Sequence, residues 1–187
     1  MATTHIISIH VGKGKTAYQS IKERLDYIMN PEKTDGGILI SSHACFPETA
    51  ADEFMLYRQE YLNTTGRKRG DEVLAYHVRQ AFKPGEITAE KANELGKALA
   101  ERLTDKQHAF VVATHIDKQH IHNHIIFCAT SLDGRQKYRD VKRSAKELVQ
   151  ISDALCEEKG LSVICNPQDK AVPYNKWEGN SKKNSHQ

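Results

Sequence analysis

The segment of residues 115–127, HIDKQHIHNHIIF, contains four of the chain's ten histidines. Imidazole is the commonest side-chain ligand of metal ions, and it binds through a neutral ring nitrogen. Side chains alternate between the two faces of a strand, so a strand over 120–130 places His120, His122 and His124 on one face. His115 follows an apolar run and reaches the same place from a neighbouring strand or turn. The segment therefore predicts a metal site formed by three of these histidines, with the fourth beside it.

The spacing H-x6-H-x-H selects His115, His122 and His124 as the ligands. Three protein ligands leave coordination positions open for a substrate, as a catalytic metal requires, and no cysteine is placed to close the site. Asp117 and His120 are then expected to orient the ligands or to fix their tautomers. By ligand type, three imidazoles suit Zn, Mn, Co or Ni. The alternative is a polar strand with unliganded histidines.

A tyrosine is the second candidate for chemistry. Residues 16–29 predict a helix with Thr16 as its N-cap, ended by Asn30-Pro31. Tyr18 falls on the apolar stripe of this helix and is expected in the core, whereas Tyr27 lies off the stripe and is expected to reach outward. A tyrosine phenol can attack phosphorus to form a covalent intermediate, and an open metal can polarise a phosphodiester. The alternative for Tyr27 is an ordinary, partly exposed aromatic residue.

Three short segments concentrate positive charge. The net charge of +3 is too small to indicate a nucleic-acid partner, so the distribution of charge matters more than its sum. Most charge runs are solvated, but cations on glycine-flanked loops, or interleaved with a tyrosine, also suit contact with a DNA backbone. The predicted DNA contacts are Lys13, Lys15, Arg67, Lys68, Arg69, Arg135, Lys137 and Arg139.

The remaining pattern predicts an α+β fold with a central antiparallel sheet flanked by helices. Apolar alternation predicts strands over 4–11, 37–42, 72–82, 108–114, 120–130 and 161–165. Helical spacing predicts further helices over 48–63, 89–103 and 144–156, the last two capped by Thr88 and Ser144. His77 faces the metal site if the strand over 72–82 is adjacent, although a structural role is commoner for a strand histidine.

The chain of 187 residues suits one domain, expected over 1–166, with a polar tail or linker over 167–187. Its four cysteines are scattered without a CxxC pair, which favours reduced thiols in the cytoplasm. No apolar run has the roughly 18 residues of a membrane span, and the first residues lack a secretory apolar core.

Three segments, in order, resemble the relaxases of mobilisable plasmids and integrative conjugative elements, in the MobP-like group of the HUH endonuclease superfamily. HIDKQHIHNHIIF resembles the family's histidine motif, and LDYIMNPEKT its tyrosine-bearing segment with Tyr27 at the nucleophile's position. YHVRQAFKPGEITAEKANELG resembles the segment that usually has a serine before the phenylalanine. This chain has Ala81 there, so any role of that hydroxyl does not carry over.

The resemblance implies an HUH fold and a bacterial DNA nickase, specific for site and strand. Tyr27 would attack the scissile phosphate of single-stranded DNA at an origin of transfer and remain joined to the 5′ phosphate. His115, His122 and His124 would hold the divalent ion, with Mg or Mn expected in function. Relaxosome accessory proteins and a type IV secretion coupling machinery are the implied partners.

Three alternatives remain open at this point. One is a replication initiator or transposase of the same superfamily. A second is a three-histidine metalloenzyme that acts on small molecules, which predicts an enclosed apolar pocket and needs no basic loops. A third is a DNA-binding module without activity.

Overall fold

The computed structural model of the chain describes residues 2–67, 70, 72–139 and 142–163. A short 3-10 helix, Pro47–Thr49, leads into the second helix. In chain order the elements are β1 (Thr3–His10), α1 (Ala17–Ile28), β2 (Ile40–His43), α2 (Ala50–Thr65), β3 (Val73–Ala81), α3 (Ala89–Leu103), β4 (Phe110–His115), β5 (His122–Cys128) and α4 (Lys142–Glu158). Among the described residues, we find no helix with the length and apolar character needed to span a membrane.

The five strands form one sheet in the order β1-β3-β5-β4-β2, and every neighbouring pair is antiparallel. Helices α1 and α2 pack on one face of this sheet, and α3 and α4 pack on the other. The predicted α+β class and the predicted hairpin of β4 and β5 are confirmed. Strand β5 lies at the centre of the sheet, so both of its faces meet other parts of the chain.

The side chains of β5 alternate between two different environments. Ile125 and Phe127 point into the apolar core under α3 and α4, and Ile126 and Cys128 point into the core under α1 and α2. By the same alternation, His122 and His124 share the α1 side. Asn123, between them, is fully buried on the α3 side.

Asn123 is the centre of a buried hydrogen-bond network that crosses the three central strands. Its Nδ2 donates to Gln80 Oε1 on β3 at 3.0 Å and to the Ala92 carbonyl on α3 at 2.6 Å. Its Oδ1 accepts from Thr114 Oγ1 on β4 at 2.7 Å. Gln80 Nε2 donates in turn to Ser152 Oγ on α4 at 2.9 Å. The network satisfies the buried polar groups only in this register of β3, β5 and β4.

Gly96 lets α3 approach this network closely. A Cβ built at this position would lie 2.6 Å from Asn123 Nδ2 and 2.9 Å from Val112 Cγ1. Any larger residue would therefore displace either α3 or the asparagine.

Local predictions were borne out at several helix ends. Thr16 caps α1 through a hydrogen bond from the Gln19 amide, and Thr88 caps α3 through one from Lys91. The prediction that Tyr18 lies in the core is wrong, because the residue is 37% exposed. It lies in the first turn of α1, and the buried stripe begins after it, at Ser20 and Ile21.

The C-terminal predictions need further correction. Helix α4 begins at Lys142, so Ser144 lies inside its first turn rather than at its N-cap, and its Oγ donates to the Arg139 carbonyl at 3.2 Å. Residues 161–163 form no strand. The rest of that expected strand, the domain boundary at 166 and the tail over 167–187 lie outside the described residues.

Replacing Asn123 with alanine should lower the free energy of unfolding by about 3 kcal/mol, because each buried group left without a partner costs about 1–3 kcal/mol. Urea denaturation followed by circular dichroism measures this change. Asn63→Ala is the matched control, because Asn63 is exposed on α2 and accepts only a surface bond from Gln59. Equal stability of Asn123→Ala and Asn63→Ala would contradict the role of the network.

Candidate metal centre and nucleophile

Three histidines converge where β4 ends and β5 begins. His115 pairs with His122 across the two strands, and His124 follows on the same face. One ring nitrogen from each of these histidines lies within 4.8 Å of one from each of the others. The structure thus brings together the three residues that the spacing selects. His120 precedes β5, so the strand alternation that would have grouped it with His122 and His124 does not extend to it.

Backbone carbonyls fix the rings of two of these histidines. His115 Nε2 lies 2.8 Å from the carbonyl oxygen of Ile28, at the end of α1. His122 Nδ1 lies 3.3 Å from the carbonyl oxygen of His120. A carbonyl only accepts, so each of these nitrogens is the protonated one. His115 Nδ1 and His122 Nε2 are therefore left with lone pairs for a metal.

His77 completes the set by contacting the third histidine. Its Nε2 lies 2.8 Å from His124 Nδ1, and both side chains are buried. When His124 donates through Nδ1 and His77 accepts, His124 Nε2 has the free lone pair. Hydrogen bonds of this kind orient metal ligands in other proteins. In the sequence, the alternation of β3 placed His77 on this face. It could not show whether His77 has a role at the site or only a structural one.

Burial keeps these imidazoles neutral. It lowers the pKa of His122 to about 4 and that of His124 to about 2, with neighbouring imidazoles adding to the effect at both. Burial likewise lowers the pKa of His115 and lowers that of His77 to about 4. Neutral imidazole is the form that binds a metal. The donor set therefore fits a divalent cation.

Tyr27 lies over this group of rings. Its ring centroid is 6.0 Å from that of His124 and 6.2 Å from that of His115, and the residue is 52% exposed. At about 100° per residue, the nine positions between Tyr18 and Tyr27 put the two side chains on opposite sides of α1. The exposed phenol therefore lies between the histidines and solvent, and Tyr18 points away from them.

A lysine that the residue pattern did not single out also contacts Tyr27. Lys33 Nζ lies 4.5 Å from the centroid of the Tyr27 ring and 4.0 Å from Asp117 Oδ2. The Lys33 carbonyl accepts from the Ile116 amide at 3.0 Å, which fixes the loop after α1 against the end of β4. Lys33 lies in the segment LDYIMNPEKT, six residues after the tyrosine, where its spacing alone gave no signal.

Asp117 and His120 occupy positions beside the ligands. Burial lowers the pKa of His115 and His122, and the negative charge of Asp117 offsets part of this lowering at both. His120 contributes its backbone carbonyl to His122, and its ring centroid is 5.2 Å from that of His122. The tautomer of His122 is thus set by main chain at His120, and a role for the two side chains remains a prediction.

Some of the predicted DNA contacts already form ion pairs with carboxylates of the protein. Lys137 Nζ is 2.5 Å from Glu72 Oε1, and the side chain is 22% exposed. Glu72 is buried and also takes a hydrogen bond from Arg58 at 2.8 Å, so the charge of Lys137 stabilises a buried carboxylate. Lys15 Nζ is 2.5 Å from Glu23 Oε2 at the surface.

The other predicted contacts have exposed side chains or are not described. Lys13, Arg67, Arg135 and Arg139 are exposed. Lys68 and Arg69 lie outside the described residues. Contact with DNA remains a prediction for all eight positions, and the charges of Lys137 and Lys15 are paired with those of Glu72 and Glu23.

His77→Ala should weaken binding of Mn²⁺ by about ten- to a hundredfold, because hydrogen bonds that orient metal ligands contribute that much. His77→Gln, which keeps an acceptor, should recover part of the affinity. Isothermal titration calorimetry measures both. His43→Ala is the matched control, because His43 lies at the far end of β2 against Phe110. Affinity in His77→Ala equal to that of the control would contradict the role of His77.

Comparison with known proteins identifies a family that this chain matches. A family model described as a relaxase, MobA/VirD2-like, nuclease domain matches residues 27–161. The chain is 41% identical over 109 residues to protein rlx of Staphylococcus aureus, covering 57% of this chain and 34% of that protein. It is 29% identical over 191 residues to the group II intron-interrupted relaxase LtrB of Lactococcus lactis subsp. cremoris, covering 83% of this chain and 34% of that protein.

The likeness to a solved structure concerns the fold. A structure described as the molecular basis of vancomycin resistance transfer in Staphylococcus aureus superposes with a TM-score of 0.56. The match covers 87% of this chain and 96% of that chain, at 14% identity. In length, the chain spans about a third of the two curated relatives, at 34% of each.

The family model matches well over half of the chain, and the matched range begins at Tyr27 and includes all three histidines. The chain belongs to the MobA/VirD2-like relaxase family and contains that family's nuclease domain.

Proposed function

We propose that this protein nicks one strand of DNA at an origin of transfer and forms a covalent 5′-phosphotyrosine adduct through Tyr27. The position of Tyr27 supports this proposal. Its exposed ring lies beside two of the three clustered histidines, with its centroid 6.0 Å from that of His124 and 6.2 Å from that of His115. A nuclease that used water as its nucleophile would need no tyrosine there.

The reaction is a transesterification. Tyr27 Oη forms a bond to the scissile phosphorus, and the bond from phosphorus to the 3′ oxygen breaks. The phenol loses its proton and the 3′ oxygen gains one, so the strand ends as a free 3′ hydroxyl. The phosphotyrosine conserves the energy of the broken bond, which permits later rejoining of the strand. The ammonium of Lys33 lies 4.5 Å from the centroid of the Tyr27 ring, so a positive charge is next to the attacking residue.

His115 Nδ1, His122 Nε2 and His124 Nε2 would hold a divalent cation. When bound, such an ion withdraws charge from a non-bridging oxygen of the phosphodiester. Family resemblance favours Mg or Mn in the cell, whereas the imidazole set also suits Zn, Co or Ni. The chain's own contribution is to keep these rings neutral and fixed by Ile28, His120 and His77.

The substrate and partners follow from the same assignment. We propose single-stranded origin DNA as the substrate, with relaxosome accessory proteins and a type IV secretion coupling machinery as partners in the bacterial cytoplasm. Exposed cations at Lys13, Arg67, Arg135 and Arg139 support a DNA surface. We also propose that residues 1–166 form the catalytic domain and that 167–187 lead toward a further region, as the greater length of the relatives suggests.

A metalloenzyme for small molecules is less well supported. Such a site needs a largely enclosed, mostly apolar pocket. Here Tyr27 is 52% exposed, the Lys33 ammonium lies 4.5 Å from its ring centroid, and Asp117 pairs with Lys33. An open and charged site suits a polymer better than a small apolar molecule.

Tyr27→Phe should reduce covalent adduct formation by about a thousandfold or more, because the substitution removes the nucleophile itself. The assay incubates the protein with labelled single-stranded origin DNA and Mn²⁺, followed by SDS gel electrophoresis. Tyr18→Phe is the matched control on the same helix and should leave the yield unchanged. An adduct that persists in Tyr27→Phe and disappears in Tyr18→Phe would show that the nucleophile is Tyr18.

His122→Ala should abolish cleavage but keep most of the affinity for DNA, because contacts with the phosphate backbone supply most of that affinity. Fluorescence anisotropy measures binding, and the adduct assay measures cleavage. The control is wild-type protein with EDTA, which should behave like the variant. Cleavage in EDTA at the rate seen with Mn²⁺ would exclude the metal from the reaction.

A further inference from the structure

A cleft between β1 and α1 leads away from the metal centre. Its lining includes Ile7 and His10 on β1, Ser20 and Arg24 on α1, Gly12 in the connecting loop, and His77 at the end nearest the histidine cluster. His77 is hydrogen-bonded to His124, so the cleft and the metal centre share a wall. Gly12 and Lys15 of the loop after β1 also line the cleft, and the reaction described above does not use it.

One arginine reaches the cleft from the helix that bears the nucleophile. Arg24 lies three residues before Tyr27, which places the two side chains on the same face of α1, about 4.5 Å apart along the helix axis. Ser20 lies a turn further along that face, where its Oγ accepts from the Gly12 amide at 2.9 Å. Arg24 is exposed. Arg24 therefore lies between Tyr27 and Ser20 on this face of α1, and it lines the cleft.

A second arginine lies on the face of the sheet that carries His77 and His124. Arg79 on β3 is the cross-strand partner of His124 on one side and of His5 on the other. It lies two residues from His77, so both side chains project from one face. Arg79 is exposed although both of its neighbours on β3, Val78 and Gln80, are buried.

Neither guanidinium is paired with a carboxylate in the part of the chain that the structure describes. The one carboxylate that lines the cleft, Glu23, is held by Lys15 at 2.5 Å. Within the described residues, neither Arg24 nor Arg79 forms an ion pair. Arg24 in the cleft and Arg79 two residues from His77 are thus two cations without a carboxylate partner among the described residues, next to the site proposed to bind the scissile phosphate.

We propose that Arg24 and Arg79 bind the backbone phosphates next to the scissile one and that the cleft between β1 and α1 is the path of the DNA strand away from Tyr27. Guanidinium matches phosphate with a fork of parallel hydrogen bonds and is always charged. This inference rests on the proposed function, because the scissile phosphate is what links the cleft to Tyr27. The two arginines position the strand and take no part in bond breaking.

The salt dependence of binding tests the cleft without any cleavage. The probe is a short fluorescent oligothymidine, titrated by anisotropy over a range of salt concentrations in the presence of EDTA. Each phosphate contact on a single strand contributes about 0.7 to the slope of log affinity against log salt. Arg24→Gln and Arg79→Gln should each lower the slope by about 0.7, and the double variant by about 1.4. Lys91→Gln, an equal change of charge on α3 at the opposite face, should leave it unchanged.

Wild-type slopes in both arginine variants would overturn the inference, as would an equal loss of slope in Lys91→Gln. Mn²⁺ affinity must be retained in Arg79→Gln, because removal of a cation beside His124 cannot weaken binding of another cation electrostatically. Loss of Mn²⁺ binding would instead show that Arg79 supports the metal centre. The adduct assay separates this inference from the proposed function: no adduct in wild-type protein refutes the function, whereas an adduct with unchanged slopes refutes only the cleft.

Discussion

The register of the three central strands is the constraint on which the site depends, and Asn123 fixes it. This residue lies between two of the clustered histidines and faces away from them, into the core under α3. Its amide joins β3 and β4 to β5 through Gln80 and Thr114. A slip of one residue would move a polar amide to the open face and two imidazoles into an apolar core. The network on one face therefore positions the histidines on the other.

The helix that bears the tyrosine is tied to the same histidines. The carbonyl of Ile28 accepts from His115, and Ile28 is the residue after Tyr27. Asn30 and Thr34 then close the turn that follows, through the hydrogen bond from Thr34 Oγ1 to the Asn30 carbonyl at 2.9 Å. One short stretch of chain thus orients a ring of the cluster and holds the phenol above it. Tyr27 and the histidines are positioned by a shared set of contacts rather than by two independent loops.

Periodicity was sufficient to predict the sheet, its central hairpin and the helix of Tyr27, because burial on one side leaves a clear pattern in the sequence. It failed at Tyr18, which belongs to the apolar stripe by spacing but lies in the first turn, before the buried stripe begins. Charge runs were a weaker guide. Lys137 and Arg79 are both cations, but only the structure shows that one neutralises a buried carboxylate and the other is exposed beside His124. The sequence pattern identified His77 as a strand histidine. It did not predict the contact of His77 with His124, because 47 residues separate the two.

The hydrogen bonds of His115 Nε2, His122 Nδ1 and His124 Nδ1 determine which ring nitrogens face a metal. An anomalous difference map from crystals soaked in Mn²⁺ tests it most directly. We expect a single peak bonded to His115 Nδ1, His122 Nε2 and His124 Nε2. A peak on His120, or on His115 with Nε2 turned away from Ile28, would contradict it.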